Sequence, residues 1–311
     1  MNILITGGLG NLGSWLTEHF ANTGHNVWVL AKNFRQIHTT AKYHLIHCDI
    51  SDYNEVKQKL AETNFDVVVH AGSVNDGFVE NYFKLAVEVN TLGTRNLLEF
   101  FKDKKLKNFI YFSTFQVYGK YSGTINENTT ATPVNDYGST HLFAEYYVKQ
   151  FFYTHKLNHT IVRLTNSYGC PKDYNSSKWY LVLNDLSKTA FEKKEIMLKS
   201  NGKAPRDFIW MGDVCRLIEN LAEAEATNDI YNISGEKTYQ MIEIAKFVQQ
   251  AYKEKYGREI PVKVNEGDTS VYPDDLVVSA AKLKEKFAYT AEPHFVDEAK
   301  KIFSFLEQKN K

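Results

Sequence analysis

The 311-residue chain carries 37 basic and 37 acidic side chains, so its net charge gives no argument for a nucleic-acid partner or an acidic membrane surface. Its length suits one large α/β domain or two smaller lobes. Three widely spaced cysteines, Cys48, Cys170 and Cys215, suit a reducing compartment better than a disulfide framework, and no apolar run is long enough to span a membrane. With no signal-like segment at the start, a cytoplasmic protein with no membrane partner is expected.

Residues 2–5 read as a short buried strand that runs into Thr6-Gly7-Gly8-Leu9-Gly10-Asn11-Leu12-Gly13 and then an amphipathic helix ending near residue 23. A glycine-rich turn between strand and helix lets backbone approach a pyrophosphate, and the free N–H groups of the helix start point at the anion. Gly7 would serve the tight turn, Gly10 the close approach and Gly13 the packing of helix on sheet. The spacing 7, 10, 13 is one residue wider at its start than the usual dinucleotide fingerprint, and an unliganded βα turn is the plainer alternative. A strand at 26–30 completes a βαβ unit.

Further strands are expected at 43–47, 66–70, 108–113 and 160–164, and helices at 53–63, 78–101 and 137–155. The run at 66–70 is continuously apolar, as in a central strand covered on both faces, and empties into the small residues Ala71, Gly72 and Ser73. This alternation predicts an α/β fold with a doubly wound parallel sheet. Beyond residue 165 the alternation loosens into a smaller mixed lobe. A turn-rich stretch at 168–177, a loop at 201–206, helices at 178–191, 214–224, 240–256 and 295–306, and strands at 230–233 and 261–264 are expected there. In the last helix Phe295, Ala299, Ile302 and Leu306 form one stripe.

Three stretches fit the opening motif. Ser113-Thr114-Phe115-Gln116-Val117-Tyr118-Gly119 lies at the carboxyl end of a strand, where ligands of open α/β sheets bind. Tyr137-Gly138-Ser139-Thr140-His141 opens a helix, and Arg163-Leu164-Thr165-Asn166-Ser167-Tyr168-Gly169 closes a strand. With Asn90-Thr91-Leu92-Gly93-Thr94, Arg206-Asp207-Phe208-Ile209 and Asn232-Ile233-Ser234-Gly235, nearly the whole chain resembles the extended short-chain dehydrogenase/reductases. Within them it resembles the nucleotide-sugar epimerase/dehydratase group.

The resemblance implies a Rossmann domain over residues 1–165 and a substrate-binding lobe over 166–311, with segments near 206–233 returning to the first. It matches Tyr137 to the catalytic tyrosine that exchanges a proton with a sugar hydroxyl, and Thr114 to the hydroxyl that binds the same oxygen. Asn166 and Arg206 match positions that contact the sugar and the nucleotide phosphates, and Asp49 and Ile50 the pair beside the adenine. Gly7, Gly10, Asn11, Leu12, Gly13, Lys32, Gly72, Ser73 and Asn90 complete the expected cofactor set.

The chain departs from the family in three places. His141 stands where a lysine, one helical turn after the tyrosine, normally stabilises the phenolate. A neutral imidazole could still donate to the cofactor ribose but brings no permanent charge; the alternative is a surface residue in a chain that has lost catalysis. Phe115 and Gln116 replace the acid pair of the 4,6-dehydratases and cannot exchange protons, so dehydration is not expected. Ala31, with Lys32 and Arg35 after it, stands where an acid usually grips the adenosine ribose. NAD is the expected cofactor, and NADP remains open.

Cys170 has no neighbour that would make it a thiolate, and Trp179 and Tyr180 could pack a core or line a base pocket. Ten histidines show no metal-ligand spacing, so no metal is expected. The expected activity is hydride transfer at a secondary hydroxyl, at C4, of a nucleotide-sugar substrate, in surface polysaccharide precursor synthesis. A non-catalytic dinucleotide sensor or scaffold is the alternative. A homodimer is expected through the helices at 78–101 and 137–155, with Phe83, Val87, Phe143, Tyr147 and Phe151 as candidate contacts.

Overall fold

The computed structural model describes residues 1–75, 81–273 and 275–309. Its centre is a seven-stranded sheet of order β11-β7-β5-β4-β1-β2-β3, all neighbours parallel. The strands are β1 (Asn2–Thr6), β2 (Asn26–Ala31), β3 (His44–His47), β4 (Val67–His70), β5 (Asn108–Thr114), β7 (His159–Leu164) and β11 (Asp229–Ile233). A two-residue strand, β6 (Thr124–Ile125), intervenes before β7 and pairs with β14 (Val277–Val278). Each residue of β4 and β5 is buried, which is why their apolar runs show no alternation.

Helices cover both faces. On one, α1 (Asn11–Asn22) and α7 (Met211–Glu223) lay Leu16, Phe20, Leu217 and Ile218 against Ile3, Ile5 and Val27. On the other, α2 (Tyr53–Leu60), α4 (Thr94–Phe101) and α5 (Asp136–His155) pack Val56, Leu97, Ala144 and Val148 on Leu4, Val68 and Phe109. Asn135 caps α5 by accepting the Gly138 N–H at 2.8 Å, which fixes the entry of Tyr137 into the helix.

The rest of the chain builds a third core from α6 (Val182–Lys193), α8 (Met241–Tyr256) and α10 (Phe295–Lys309). The apolar stripe of α10, Phe295, Ala299, Ile302 and Leu306, is buried in it. Gln240 and Glu243 form a capping box at the start of α8, and Gly257 at φ +71° closes it. A three-stranded sheet of β8 (Asn166–Tyr168), β10 (Pro205–Trp210) and β12 (Thr238–Gln240) joins this lobe to the cleft; β9 (Ile196–Met197) pairs with β13 (Val262–Lys263).

Several expectations change. The stretch expected as a helix at 78–101 is helical from Tyr82 to Phe101, but as α3 (Tyr82–Ala86), a widened π-helical stretch, Val87–Gly93, and α4; positions 78–80 lie outside the described residues, and Asn81 precedes α3 with a left-handed φ of +55°. Gly93 seats this segment closely on Ile50, where an added Cβ would come within 2.7 Å of the side chain. Residues 205–206, expected in a loop, begin β10. Of the candidate dimer contacts, Phe83 and Phe143 are exposed, whereas Phe151 is buried in the core between α5 and the sheet.

Candidate functional site

The carboxyl ends of β1, β4, β5 and β7 open onto one cleft of about 670 Å³, lined by residues from the glycine loop, the 71–75 segment, Thr114, Tyr137, His141 and Asn166. That size lies within the range of small-molecule sites. Gly7 turns the chain with φ +67°, and a Cβ there would stand 2.6 Å from Gly72 Cα. A Cβ at Gly13 would meet the Gly7 carbonyl oxygen at 2.1 Å. Gly13 is therefore required by the backbone of its own loop, and not, as expected from sequence, by helix-on-sheet packing. The result is a bare backbone rim at the start of α1.

Two further observations fit a dinucleotide here. The side-chain Oδ1 of Asn11 and Nε2 of His141 are buried without a hydrogen-bond partner among the described residues, and both residues line the cleft. A polar atom in that condition awaits a ligand or costs stability. Gly10, Leu12, Asp49, Ile50, Gly72 and Ser73 line the same wall.

Lys32 also reaches the cleft, but its Nζ lies 2.6 Å from Asp49 Oδ2. Burial pushes the Asp49 carboxyl up, and the Lys32 and Ser51 hydrogen bonds, with the Lys32 charge, more than reverse that and hold it below the usual carboxylate range. The Lys32 charge is thus committed to a carboxylate at the site.

Tyr137 stands in the first turn of α5 with the hydroxyls of Ser73 and Thr114 as hydrogen-bond partners. Burial pushes its phenol up to about 12, and those two hydroxyls only partly oppose the effect. Thr114 Oγ1 also accepts the Gln116 N–H at 3.2 Å, which holds it at the strand end. The His141 ring meets the Tyr137 ring edge-on at 4.5 Å. His141 is not a surface residue: it is 2% exposed, and burial drives its pKa down to about 4, with the Phe112 backbone pulling the other way. It is a neutral imidazole at physiological pH.

Phe115 is buried, packed against Tyr118 and Tyr121, while the Gln116 amide oxygen accepts from Asn135 Nδ2 at 2.9 Å. Neither side chain offers a proton. Asn166 lines the cleft and donates to the Asp207 carbonyl at 2.8 Å.

Two candidates lie elsewhere. Arg206 is outside the cleft lining; its guanidinium folds back to donate to the Pro205 carbonyl at 2.8 Å. Asn90 is also behind the wall: its Oδ1 accepts from Val74 N at 2.7 Å and its Nδ2 donates to Val74 O at 3.0 Å and Thr140 Oγ1 at 3.1 Å. It braces the 71–75 segment against α5. Cys170 is no nucleophile, since burial pushes its thiol up to about 12.

The sequence reading missed a layer beneath the cleft. Thr6 Oγ1 is 2.5 Å from His70 Nδ1, His70 Nε2 is 2.9 Å from Thr94 Oγ1, and Tyr111 Oη is 2.8 Å from His141 Nδ1. Beside it, Glu145 takes Arg163 in a bidentate pair at 2.9 and 2.7 Å and the Ser113 hydroxyl at 2.6 Å, all buried. A polar residue inside an apolar strand pattern, such as His70, was the available signal. Far from the cleft, His25 meets Glu219 and Glu223, a group able to hold a metal; its atoms are already engaged, His25 with Glu219 at 3.4 Å and Glu219 with His19 at 2.8 Å. No described helix is long and apolar enough to cross a membrane.

The comparisons agree with this geometry. The model of the NAD dependent epimerase/dehydratase family matches residues 3–234. A dTDP-D-glucose 4,6-dehydratase of Dictyostelium discoideum is 29% identical over 273 residues, covering 78% of this chain and 60% of that protein's length. A putative UDP-glucose 4-epimerase of Methanocaldococcus jannaschii is 24% identical over 320 residues, covering 99% of each. Among solved structures, the UDP-glucuronic acid 4-epimerase of Bacillus cereus, in complex with UDP-glucuronic acid and NAD, superposes with a TM-score of 0.80 at 22% identity, over 99% of this chain and all of that one.

Proposed function

Since the chain belongs to the NAD dependent epimerase/dehydratase family, we propose that it oxidises the C4 hydroxyl of a nucleotide sugar with bound NAD, as a dehydrogenase or as the first half of an epimerase cycle. The observation that carries this reading is Tyr137, a phenol flanked by the Ser73 and Thr114 hydroxyls on the cleft that begins at the glycine loop. When bound, the nicotinamide cofactor supplies the hydride acceptor. In its phenolate form Tyr137 takes the proton of the sugar hydroxyl and becomes the phenol, and Thr114 holds the same oxygen. The loop from Gly7 to Gly13 cradles the pyrophosphate, Asp49 and Ile50 border the adenine, and His141 faces the ribose. Asn166 contacts the sugar.

Phe115 and Gln116 favour oxidation or epimerisation over dehydration, although relatives of both kinds are similar to this chain. NAD is supported by the structural neighbours solved with it and by the pairing of Lys32 with Asp49, whereas Ala31 and Arg35 pull the other way, since no acid stands there to repel a 2′-phosphate. We read residues 1–165, with segments near 206–233, as the cofactor domain and the remainder of 166–311 as the sugar-binding lobe, serving surface polysaccharide precursor synthesis.

The test is mass spectrometry of the small molecules that co-purify with the protein, followed by incubation with UDP-glucose and UDP-glucuronic acid and NMR of the product at C4. Inversion at C4, or a 4-keto sugar with reduced cofactor, is expected. A 6-deoxy-4-keto product would establish dehydration instead. Retention of NAD with no turnover of any nucleotide sugar would favour the non-catalytic sensor.

A further inference from the structure

The direction of each proton beneath the cleft can be worked out from its partners. Thr94 Oγ1 donates to the Asn90 carbonyl at 2.6 Å, so its contact with His70 is one in which it accepts the Nε2 proton. The bare His70 Nδ1 then takes the proton of Thr6 Oγ1, which also accepts the Gly72 N–H at 3.2 Å. Thr94 thus already receives one proton and gives its own away. Tyr111, on β5, lies against both this chain and α5. Its phenol is pushed well above its ordinary value by burial and keeps its proton. Between a threonine oxygen already engaged and an imidazole nitrogen 2.8 Å away, the nitrogen is the far stronger acceptor. Tyr111 then donates to His141 Nδ1, and the His141 proton stands on Nε2, which is buried and makes no hydrogen bond of normal geometry among the described residues, in a side chain that lines the cleft with the Phe112 backbone as its other polar neighbour.

We propose that Tyr111 is a positioning residue that locks His141 as the Nε2-protonated neutral imidazole, so that one uncharged N–H, held in a fixed direction, serves the cofactor ribose where a cation would otherwise stand. This rests on the reading of the cleft as a nicotinamide dinucleotide site. A neutral donor of this kind selects a hydroxyl or other neutral oxygen and adds no charge to the Tyr137 phenol. The chain has kept the ribose contact and given up the charge.

The decisive measurement is the ¹⁵N spectrum of the imidazoles in the full-length protein, with His141 assigned by its loss in His141→Gln. The Nε2–H pattern is expected for His141 in the wild type, unchanged from pH 5.5 to 8.5, and Tyr111→Phe should convert it to a mixture of tautomers. NAD affinity, read by calorimetry without turnover, should fall roughly tenfold in Tyr111→Phe and in His141→Leu, the loss of one hydrogen bond. His141→Gln, whose amide also donates without charge, should recover most of the loss. An Nδ1–H or charged imidazole in the wild type overturns the proposal, as does a Tyr111→Phe protein with unchanged His141 nitrogen shifts. Should Tyr111→Phe fail to fold, the wild-type spectrum and the Gln–Leu pair decide alone. NAD binding with the wrong tautomer refutes this inference and leaves the cofactor reading standing; the right tautomer in a protein that binds no dinucleotide refutes the cofactor reading, and with it the ribose as target.

Discussion

The rings of Tyr137 and His141 meet edge to face, centroids 4.5 Å apart and planes at 67°. This contact replaces an ionic neighbour of the phenol with a neutral one, because burial holds His141 at about 4 and lifts Tyr137 to about 12. The phenolate fraction in the bare cleft then grows tenfold with each unit of pH over the neutral range. Oxidation of the sugar should accelerate accordingly from pH 7 to 9. Tyr137→Phe should remove nearly all activity, and His141→Lys should move the profile towards lower pH. Initial rates across that range check the slope; a flat profile with an active Tyr137→Phe protein removes the mechanism.

Gly13 and Gly10 should respond differently to substitution. An alanine methyl at Gly13 would stand 2.1 Å from a carbonyl oxygen, so Gly13→Ala must displace the loop, with a stability loss of about 1–3 kcal/mol and loss of NAD binding. At Gly10 the nearest atom is at 3.0 Å. Gly10→Val should stay folded while NAD affinity falls by roughly a hundredfold or more, since the side chain fills space meant for pyrophosphate. Thermal melts and calorimetry on the same preparations separate the two outcomes.

Glu145 is fully buried and balances Arg163. Glu145→Ala leaves a guanidinium charge inside the protein without its carboxylate, a destabilisation of about 3–5 kcal/mol. Denaturant unfolding measures it. The double variant Glu145→Leu with Arg163→Met should recover much of the loss, because it removes both charges.

Acid should unfold the protein early. His70, His141 and His159 are held by burial at about 3, 4 and 4. In the unfolded chain they titrate near the ordinary value, so from about pH 6.5 downwards the unfolded state binds protons that the folded state refuses. Their stabilising contribution is intact above that value and falls with pH, by roughly 1.5 kcal/mol per histidine between pH 6.5 and 5. Urea midpoints at those two values test the sign as well as the size.

Self-association is expected through the outer faces of α3 and α5, where Phe83, Phe143 and Tyr146 are 62%, 59% and 57% exposed. Apolar rings in that number on one side of a chain suit a buried contact. Light scattering at micromolar concentration should give twice the chain mass, and Phe83→Glu with Phe143→Glu should return it to the monomer.

The glycine loop, the tyrosine and the threonine were legible in the sequence because each depends on local spacing and on its place at a strand end. Arg206 and Asn90 stand outside the cleft lining, a placement the sequence did not show because the direction of a side chain on β10 or in a widened helical stretch is set by neighbours distant in the chain. Asn90 keeps its importance but acts through Val74 and Thr140. Tyr111 lay hidden for a related reason. The middle of β5, Phe109 to Phe112, is wholly apolar or aromatic, so the pattern cannot tell which ring carries its hydroxyl to a partner; only the seating of α5 on β5 brings Tyr111 to His141. The π-helical widening at Val87–Gly93 escaped notice because the apolar periodicity continues through it.

The seventh strand has a consequence for synthesis. β11 pairs only with β7, yet β8, α6 and β10 are all translated between them. Until Ile233 leaves the ribosome, β7 presents an open edge of backbone donors and acceptors beside an apolar face. The nascent chain therefore cannot finish its central sheet before the segments between β7 and β11 have been made. Clones ending near residue 165 should aggregate or be degraded, and a chaperone that shields the β7 edge during translation should raise the yield of the full chain.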